Sequence, residues 1–219
     1  STYFVKYNDF NRRVIVTPKS FVSSGVNTTT NTFTLNDHGF VTGQKVIYTS
    51  DSPIEGLVDE GMYYVVKIDD NKFNLSDSYY NSTLSKPIII GITSTSAGVI
   101  NPINPSIDVY KDSTVSFDLS DSSLAYTHNS TDYSAFKFNF YSDQNLTKIW
   151  DTSELTKDFN VIRNGAPGIT TNANVTLKVT KEVPHELFYK LEPLFDSSLS
   201  SRKAFFVMLA KQGKHQKAT

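Results

Sequence analysis

Residues 136–141 read FKFNFY, and this regular alternation around phenylalanine predicts a β-strand. The three phenylalanines would share one face of the strand, and the residues between them would lie on the other. The same period of two recurs in 115–119 (VSFDL) and in 175–179 (VTLKV). A strand with one apolar and one polar face is typical of the antiparallel sheets in a β-sandwich.

The composition favours the same fold class. Among 219 residues there are 15 Phe and 12 Tyr, Ser and Thr are abundant, and Ala and Leu are sparse. Aromatic residues suit strands, and Ser and Thr suit the turns between them. We therefore predict an all-β protein of two small antiparallel modules, a barrel or sandwich followed by a sandwich, with extended terminal arms. No amphipathic helix is predicted before residue 195.

Turn-forming residues separate the predicted strands. Asp69-Asp70-Asn71 lies between the apolar segments 63–68 and 72–75, which predicts a β-hairpin. Residues 101–105 read NPINP, and two prolines so close together argue against a central strand, so we place the module boundary there. The predicted divisions are an N-terminal arm or strand (1–17), a first β-module (18–104), a second β-sandwich module (105–195) and a basic C-terminal tail (196–219).

Charge and residue usage exclude several function classes. The net charge of −1 and the pI of about 6.4 provide no overall positive field for binding nucleic acid or an anionic membrane. We expect neither as a partner. Because the chain contains no Cys, disulfides, thiolate metal sites and cysteine nucleophiles are excluded.

Metal-ligand spacing is also missing from the sequence. Zinc needs three or four converging ligands, and the histidines show no HxH or HExxH pattern; they are His38, His128, His185 and His215. A turn hydrogen bond explains the histidine beside Gly39 as well as a ligand role does. Calcium could use acidic oxygens at Asp118, Asp121 and Asp143, but these carry no DxDxDG loop. We expect no metal and no cofactor.

Catalytic motifs are equally absent from the sequence. There is no GxSxG elbow and no glycine-rich phosphate loop. A glycosidase would need two carboxylates facing each other across a cleft, and the candidate pairs are Asp59/Glu60, Asp69/Asp70 and Glu182/Glu186. Adjacent residues on a strand point to opposite faces, so the first two pairs suit this chemistry poorly. We expect no catalytic residue and a non-enzymatic protein.

Two segments are candidates for interfaces. Tyr79 and Tyr80 lie in a Ser- and Asn-rich stretch beyond the predicted hairpin, and Tyr is common among interface anchors. Covering the open end of the first module would explain the pair equally well. The second segment is the apolar run AFFVMLA at 204–210, too short to span a bilayer. From this run we single out Phe205, Phe206 and Met208.

The segment after Asp196 has two interpretations. It contains no acidic residue beyond Asp196 and several basic ones. It could be an arm that docks on a neighbouring subunit or adds a strand to that subunit's sheet. It could equally be a terminal strand or helix that packs on its own domain and ends in a frayed basic segment.

Several motifs in combination resemble a known class of proteins. In the first module these are 35–48 (LNDHGFVTGQKVIY) and 61–66 (GMYYVV). In the second they are 115–124 (VSFDLSDSSL), 140–143 (FYSD) and 184–189 (PHELFY). Together they resemble tail and baseplate structural proteins of T4-like marine cyanophages, over roughly residues 10–195.

The end of the second module also resembles immunoglobulin- or cupredoxin-like sandwiches. In cupredoxins a P--L-Y-C--H segment carries metal ligands, whereas residues 187–192 here read LFYKLE. Neither Cys nor His follows the tyrosine, so the resemblance implies a sandwich without bound copper.

The phage resemblance implies a virion structural protein of the tail or baseplate that acts through protein–protein interfaces. Its partners would be other phage structural proteins in a homo- or hetero-oligomer, with assembly in the cytoplasm of the host bacterium. The alternative function is a host-surface adhesin or fibre module that binds a glycan through exposed aromatic residues such as Tyr80 or Trp150. A β-sandwich glycan hydrolase or lyase is a third, less favoured class.

Overall fold

The computed structural model of the protein describes residues 1–8, 13–150, 160–194 and 204–211, the last of these as backbone. Strands are by far the main regular structure among these residues, which confirms the all-β prediction. The single α-helix among them, α1 (Tyr79–Thr83), is one turn long. In chain order the strands are β1 (Thr2–Asn8), β2 (Arg13–Val16), β3 (Lys19–Phe21), β4 (Val26–Asn27), β5 (Thr32–Thr34), β6 (Lys45–Thr49), β7 (Gly61–Lys67), β8 (Lys72–Ser76), β9 (Gly98–Pro102), β10 (Ile107–Tyr110), β11 (Thr114–Asp118), β12 (Ala125–His128), β13 (Thr131–Ser134), β14 (Phe136–Tyr141), β15 (Val161–Asn164), β16 (Asn174–Lys178), β17 (Glu186–Pro193) and β18 (Ala204–Lys211).

The chain forms two compact units. Unit 1 combines Ser1–Val16 with Asn104–Thr219, and unit 2 is Thr17–Ile103. Unit 2 therefore ends beside the proline-rich segment in which the sequence places a module boundary. Pro102 is the last residue of β9, so its missing amide hydrogen does not break the strand pairing in the middle of the strand.

Unit 2 is a single antiparallel sheet of seven strands in the order β3-β9-β6-β7-β8-β5-β4. Its core contains Phe33, Tyr48 and Phe73, all of which are fully buried. The hairpin predicted around Asp69–Asn71 is confirmed, because β7 pairs antiparallel with β8. Both outer strands are short, with three residues in β3 and two in β4.

Unit 1 is a β-sandwich with an additional β12–β13 hairpin. One sheet has the order β15-β16-β11-β1-β2, and the other β10-β18-β17-β14. Inward-facing side chains of both sheets form one core, in which the ring centroids of Phe117 and Phe138 are 4.6 Å apart. The three alternating segments of the sequence analysis become β11, β14 and β16, and their apolar positions face this core.

Both ends of the chain form strands of unit 1 rather than extended arms, which corresponds to the strand alternative that the sequence left open at each end. Residues Thr2–Phe4 of β1 pair in parallel with β11, and Val5 and Tyr7 are buried in the core of unit 1. In the tail, β18 lies between β10 and β17 and pairs with both. Local sequence does not identify the partner strands, because β11, which pairs with β1, and β18, which pairs with β10, each lie about 100 residues away along the chain.

No helix among the described residues has the length and apolar character needed to cross a membrane.

Candidate functional site

Tyr79 and Tyr80 are the first two residues of α1, in unit 2. Their exposed fractions are 61% and 72%, so neither side chain serves the core. The short helix is stabilised by polar side chains: the Ser78 hydroxyl accepts a hydrogen bond from the Asn81 amide, and the Ser82 hydroxyl donates to the Tyr79 carbonyl. This capping explains how a Ser- and Asn-rich stretch, expected to be a loop, forms a helical turn.

A third tyrosine holds the ring of Tyr79 in place. Tyr64 on β7 contacts it edge to face, with ring centroids 6.4 Å apart. The ammonium of Lys45 lies 5.9 Å from the centroid of the Tyr64 ring, within cation–π distance. We call Tyr64, Tyr79 and Tyr80 the tyrosine patch. It offers rigid aromatic surface and hydroxyl groups, which suit contact with an apolar side chain of a partner or with a sugar ring.

Gly43 makes room for the patch. Its φ of +87° favours glycine, and a Cβ at this position would lie 2.7 Å from a ring carbon of Tyr79. We expect Gly43→Ala to displace the Tyr79 ring, visible as changed ring-proton NMR shifts of Tyr64 and Tyr79.

Gly39→Ala is the matched control, because its φ of +69° is similarly strained but no atom lies within 4 Å of the added Cβ. Both variants should lose about 1 kcal/mol of stability through backbone strain. Unchanged Tyr79 signals in Gly43→Ala would contradict the close packing of glycine and ring.

A second surface feature of unit 2 is a cleft of about 590 Å³ with a mixed polar and apolar lining. Asp51, Asp59 and Glu60 line it together with several serines. Two of its polar groups hold neighbouring loops: Asp59 Oδ1 accepts a hydrogen bond from the Ser50 amide at 2.9 Å, and Ser50 Oγ donates to the Ala97 carbonyl at 2.7 Å. The Asp59/Glu60 pair of the sequence analysis thus lies in a cleft, but Asp59 also stabilises the local backbone.

His38 is a buried structural residue with 2% exposure. Its Nδ1 accepts a hydrogen bond from the Phe40 amide at 2.9 Å, and its Nε2 lies 2.8 Å from the Asp69 carbonyl, to which it donates. Both nitrogens are therefore used by backbone groups, which favours the turn interpretation over a metal ligand. Within the described residues, no three His, Asp or Glu side chains gather as a metal site would require.

The three aspartates considered for calcium organise turns. Asp118 Oδ1 accepts a hydrogen bond from the Ser120 amide at 2.8 Å, and Asp121 Oδ1 accepts one from the Ser123 amide at 2.9 Å. The hydrogen bond from the Thr147 side chain lowers the pKa of Asp143, although desolvation raises it, and backbone amides of 147 and 148 lower it further. The contacts of Asp118 and Asp121 are those of Asx turns, whereas Asp143 binds the amides of a longer turn, four and five residues later.

The tail candidates Phe205, Phe206 and Met208 lie on β18. Phe206 is the register partner of Tyr189, and Met208 is the partner of both Leu187 and Ile107. Their side chains lie outside the described part of the structure. The backbone pairing corresponds to the alternative in which the tail adds a strand to its own domain.

Sequence reasoning missed a group of polar residues in unit 1. Asn139 and Tyr141 on β14, Lys190 and Glu192 on β17, and Arg163 on β15 are joined by hydrogen bonds. We call these five residues the polar cluster. The only sequence signal is that polar residues alternate with phenylalanine in β14, and this pattern reveals nothing about a partner strand about 50 residues later.

No protein-family model, no curated protein and no solved structure matches the chain.

Proposed function

We propose that the protein is a structural component of a phage virion, in the tail or baseplate, and that it acts through protein–protein interfaces without enzymatic activity. The observation that carries the proposal is the tyrosine patch. Two tyrosines more than half exposed, one of them held in place by a third, resemble the anchors of an interface. The cyanophage-like motifs of both modules support the same function.

The edge at β14 in unit 1 and both edges of the unit 2 sheet favour side-chain contacts over strand addition. In unit 1 the outer edge of β14 is already used, because Arg163 donates to the Phe138 carbonyl and the Trp150 amide donates to the Phe140 carbonyl. In unit 2 the outer strands have only two or three residues. Short or covered edges oppose uncontrolled pairing with other chains. We therefore place the partner contact on the tyrosine patch.

The proposal is tested by electron microscopy of intact phage particles labelled with a gold-conjugated antibody against this chain. We expect gold at the tail end. Label on the head would contradict the tail assignment, and particles without label would contradict the virion function.

The second candidate function is glycan binding at a host surface, and the exposure of Tyr80 favours it. We expect a glycan-array signal that is lost in Tyr80→Ala and kept in Tyr133→Ala, a control that removes a 41% exposed tyrosine from the β12–β13 hairpin. Trp150 is a poor probe, since it packs against the core of unit 1 and its replacement would disturb folding. No signal for the unmodified protein would contradict this candidate.

A further inference from the structure

The polar cluster lies on the face of the β14–β17 ladder opposite the core. Phe138, Phe140 and Tyr189 point into the core, so Asn139 and Lys190, which alternate with them, lie on the other face. Asn139 and Lys190 are direct register partners, and each is only 5% exposed. A lysine and an asparagine therefore face each other across two antiparallel strands, away from bulk water.

Glu192 connects these two side chains. Its Oε1 accepts a hydrogen bond from Lys190 Nζ at 3.2 Å, and its Oε2 accepts one from Asn139 Nδ2 at 3.0 Å. The Tyr141 hydroxyl also bonds to Oε2. One carboxylate thus contacts both the amine of the lysine and the amide nitrogen of the asparagine.

Arg163 contacts the other end of the asparagine amide. Its Nη2 donates to Asn139 Oδ1 at 3.2 Å, while its Nη1 is held by the Phe138 carbonyl at 2.6 Å. A guanidinium at this position draws electron density from the carbonyl and would stabilise negative charge that develops on the oxygen.

The protonation states fit proton transfer through Glu192. Burial raises the pKa of Glu192. The hydrogen bonds from Tyr141, Asn139 and Lys190 lower it by more, so the net pKa is below the ordinary value. The carboxylate is therefore ionised before the reaction and has a free lone pair for the proton of Lys190. Burial and the neighbouring Glu192 raise the pKa of Tyr141 to about 12, so its hydroxyl remains a donor.

We propose that Lys190 and Asn139 form an intramolecular isopeptide bond, with Glu192 as the proton carrier and Arg163 as the group that polarises the amide. This modification is independent of the proposed virion function. It would join β14 to β17 covalently in a chain that has no cysteine for disulfides.

The reaction balances without any oxidant or reductant. Glu192 takes a proton from the Lys190 ammonium, and the neutral Nζ attacks Cγ of Asn139. Negative charge then develops on Oδ1, beside Arg163. The Cγ–Nδ2 bond breaks as Glu192 returns this proton to Nδ2, which makes ammonia the leaving group. Nζ then loses its second proton to the ammonia. Lysine and asparagine side chains become one secondary amide, and ammonia leaves with the surplus proton as ammonium.

An ordinary ion pair between the buried Lys190 and the partly exposed Glu192 is the competing explanation for the cluster. Such a pair gains little stability over apolar packing, because desolvation offsets the Coulomb attraction. It would explain the contact of Lys190 with Glu192. An ion pair does not account for the orientation of the Asn139 side-chain amide, whose nitrogen bonds to the Glu192 carboxylate and whose oxygen bonds to the Arg163 guanidinium. The isopeptide reaction explains this orientation as well.

The test is the intact mass of the purified full chain, followed by tryptic peptide mapping. We expect a mass lower than the sequence value by about 17 Da, the loss of one ammonia. We also expect a branched peptide that joins residues 138–148 to residues 182–202, uncleaved after Lys190. Glu192→Gln keeps hydrogen-bonding oxygen and nitrogen atoms but cannot carry the proton, so its crosslinked fraction should fall below detection.

The control is Lys137→Arg, which changes an exposed lysine on β14 and should crosslink fully. Lys190→Arg should show the full mass. The proposal would be overturned if the wild-type protein still had the full sequence mass after prolonged incubation. So would a loss of about 17 Da that maps to a linear peptide, for example a succinimide at Asn164-Gly165.

Discussion

Replacing Phe117 by alanine should lower the free energy of unfolding of unit 1 by about 3–5 kcal/mol. The side chain is completely buried, and its ring packs against Phe138 and Tyr189 of the opposite sheet. Alanine would leave a cavity between the two sheets, and the neighbouring strands can close it only in part. The measurement is denaturant unfolding followed by fluorescence of Trp150, the single tryptophan, which packs against this core.

Phe4→Ala provides the matched control for this experiment. It makes the same chemical change on β1, where the phenylalanine is 53% exposed. We expect a loss of about 1 kcal/mol or less there. Equal losses in the two variants would contradict the sandwich core of unit 1.

Replacing His38 by alanine should destabilise unit 2 by about 3 kcal/mol. The change leaves the amide of Phe40 and the carbonyl of Asp69 without their side-chain partner in a buried site. It also removes ring contacts with Phe40 and Phe73, whose centroids lie 5.1 and 5.2 Å from that of the imidazole. Native-state hydrogen exchange of the β6–β8 amides would measure the loss.

His128→Ala is the control for this variant, since His128 is exposed in the β12–β13 hairpin of unit 1. Exchange rates in unit 2 should be unaffected by it. Unaltered exchange in His38→Ala would contradict the structural role of this histidine.

Much of the secondary structure was predictable from local sequence. The alternation in 115–119, 136–141 and 175–179 predicts three strands and their buried faces, because a period of two is a property of neighbouring residues alone. Likewise, Asp69-Asp70-Asn71 predicts the β7–β8 turn. Even the interface candidate Tyr79 was visible as an aromatic residue in a polar stretch, although its helical turn was not expected.

The sites depended on information that local patterns lack. The contact between Tyr79 and Tyr64 needs α1 to lie beside β7, and it also needs a glycine at position 43 beneath the ring. The alternation in β14 marks Asn139 as outward-facing. It does not reveal that a lysine lies opposite.

By itself, the sequence determined the all-β class, the alternating faces of several strands and the region of the boundary between the units. Only the tertiary structure decided that β1 and β18 are strands inside the sheets of unit 1, and that Asn139, Lys190 and Glu192 meet. The physical reason is the range of the forces involved. Side-chain alternation and turn preferences act over a few residues, whereas strand order is selected by burying apolar faces from distant parts of the chain together.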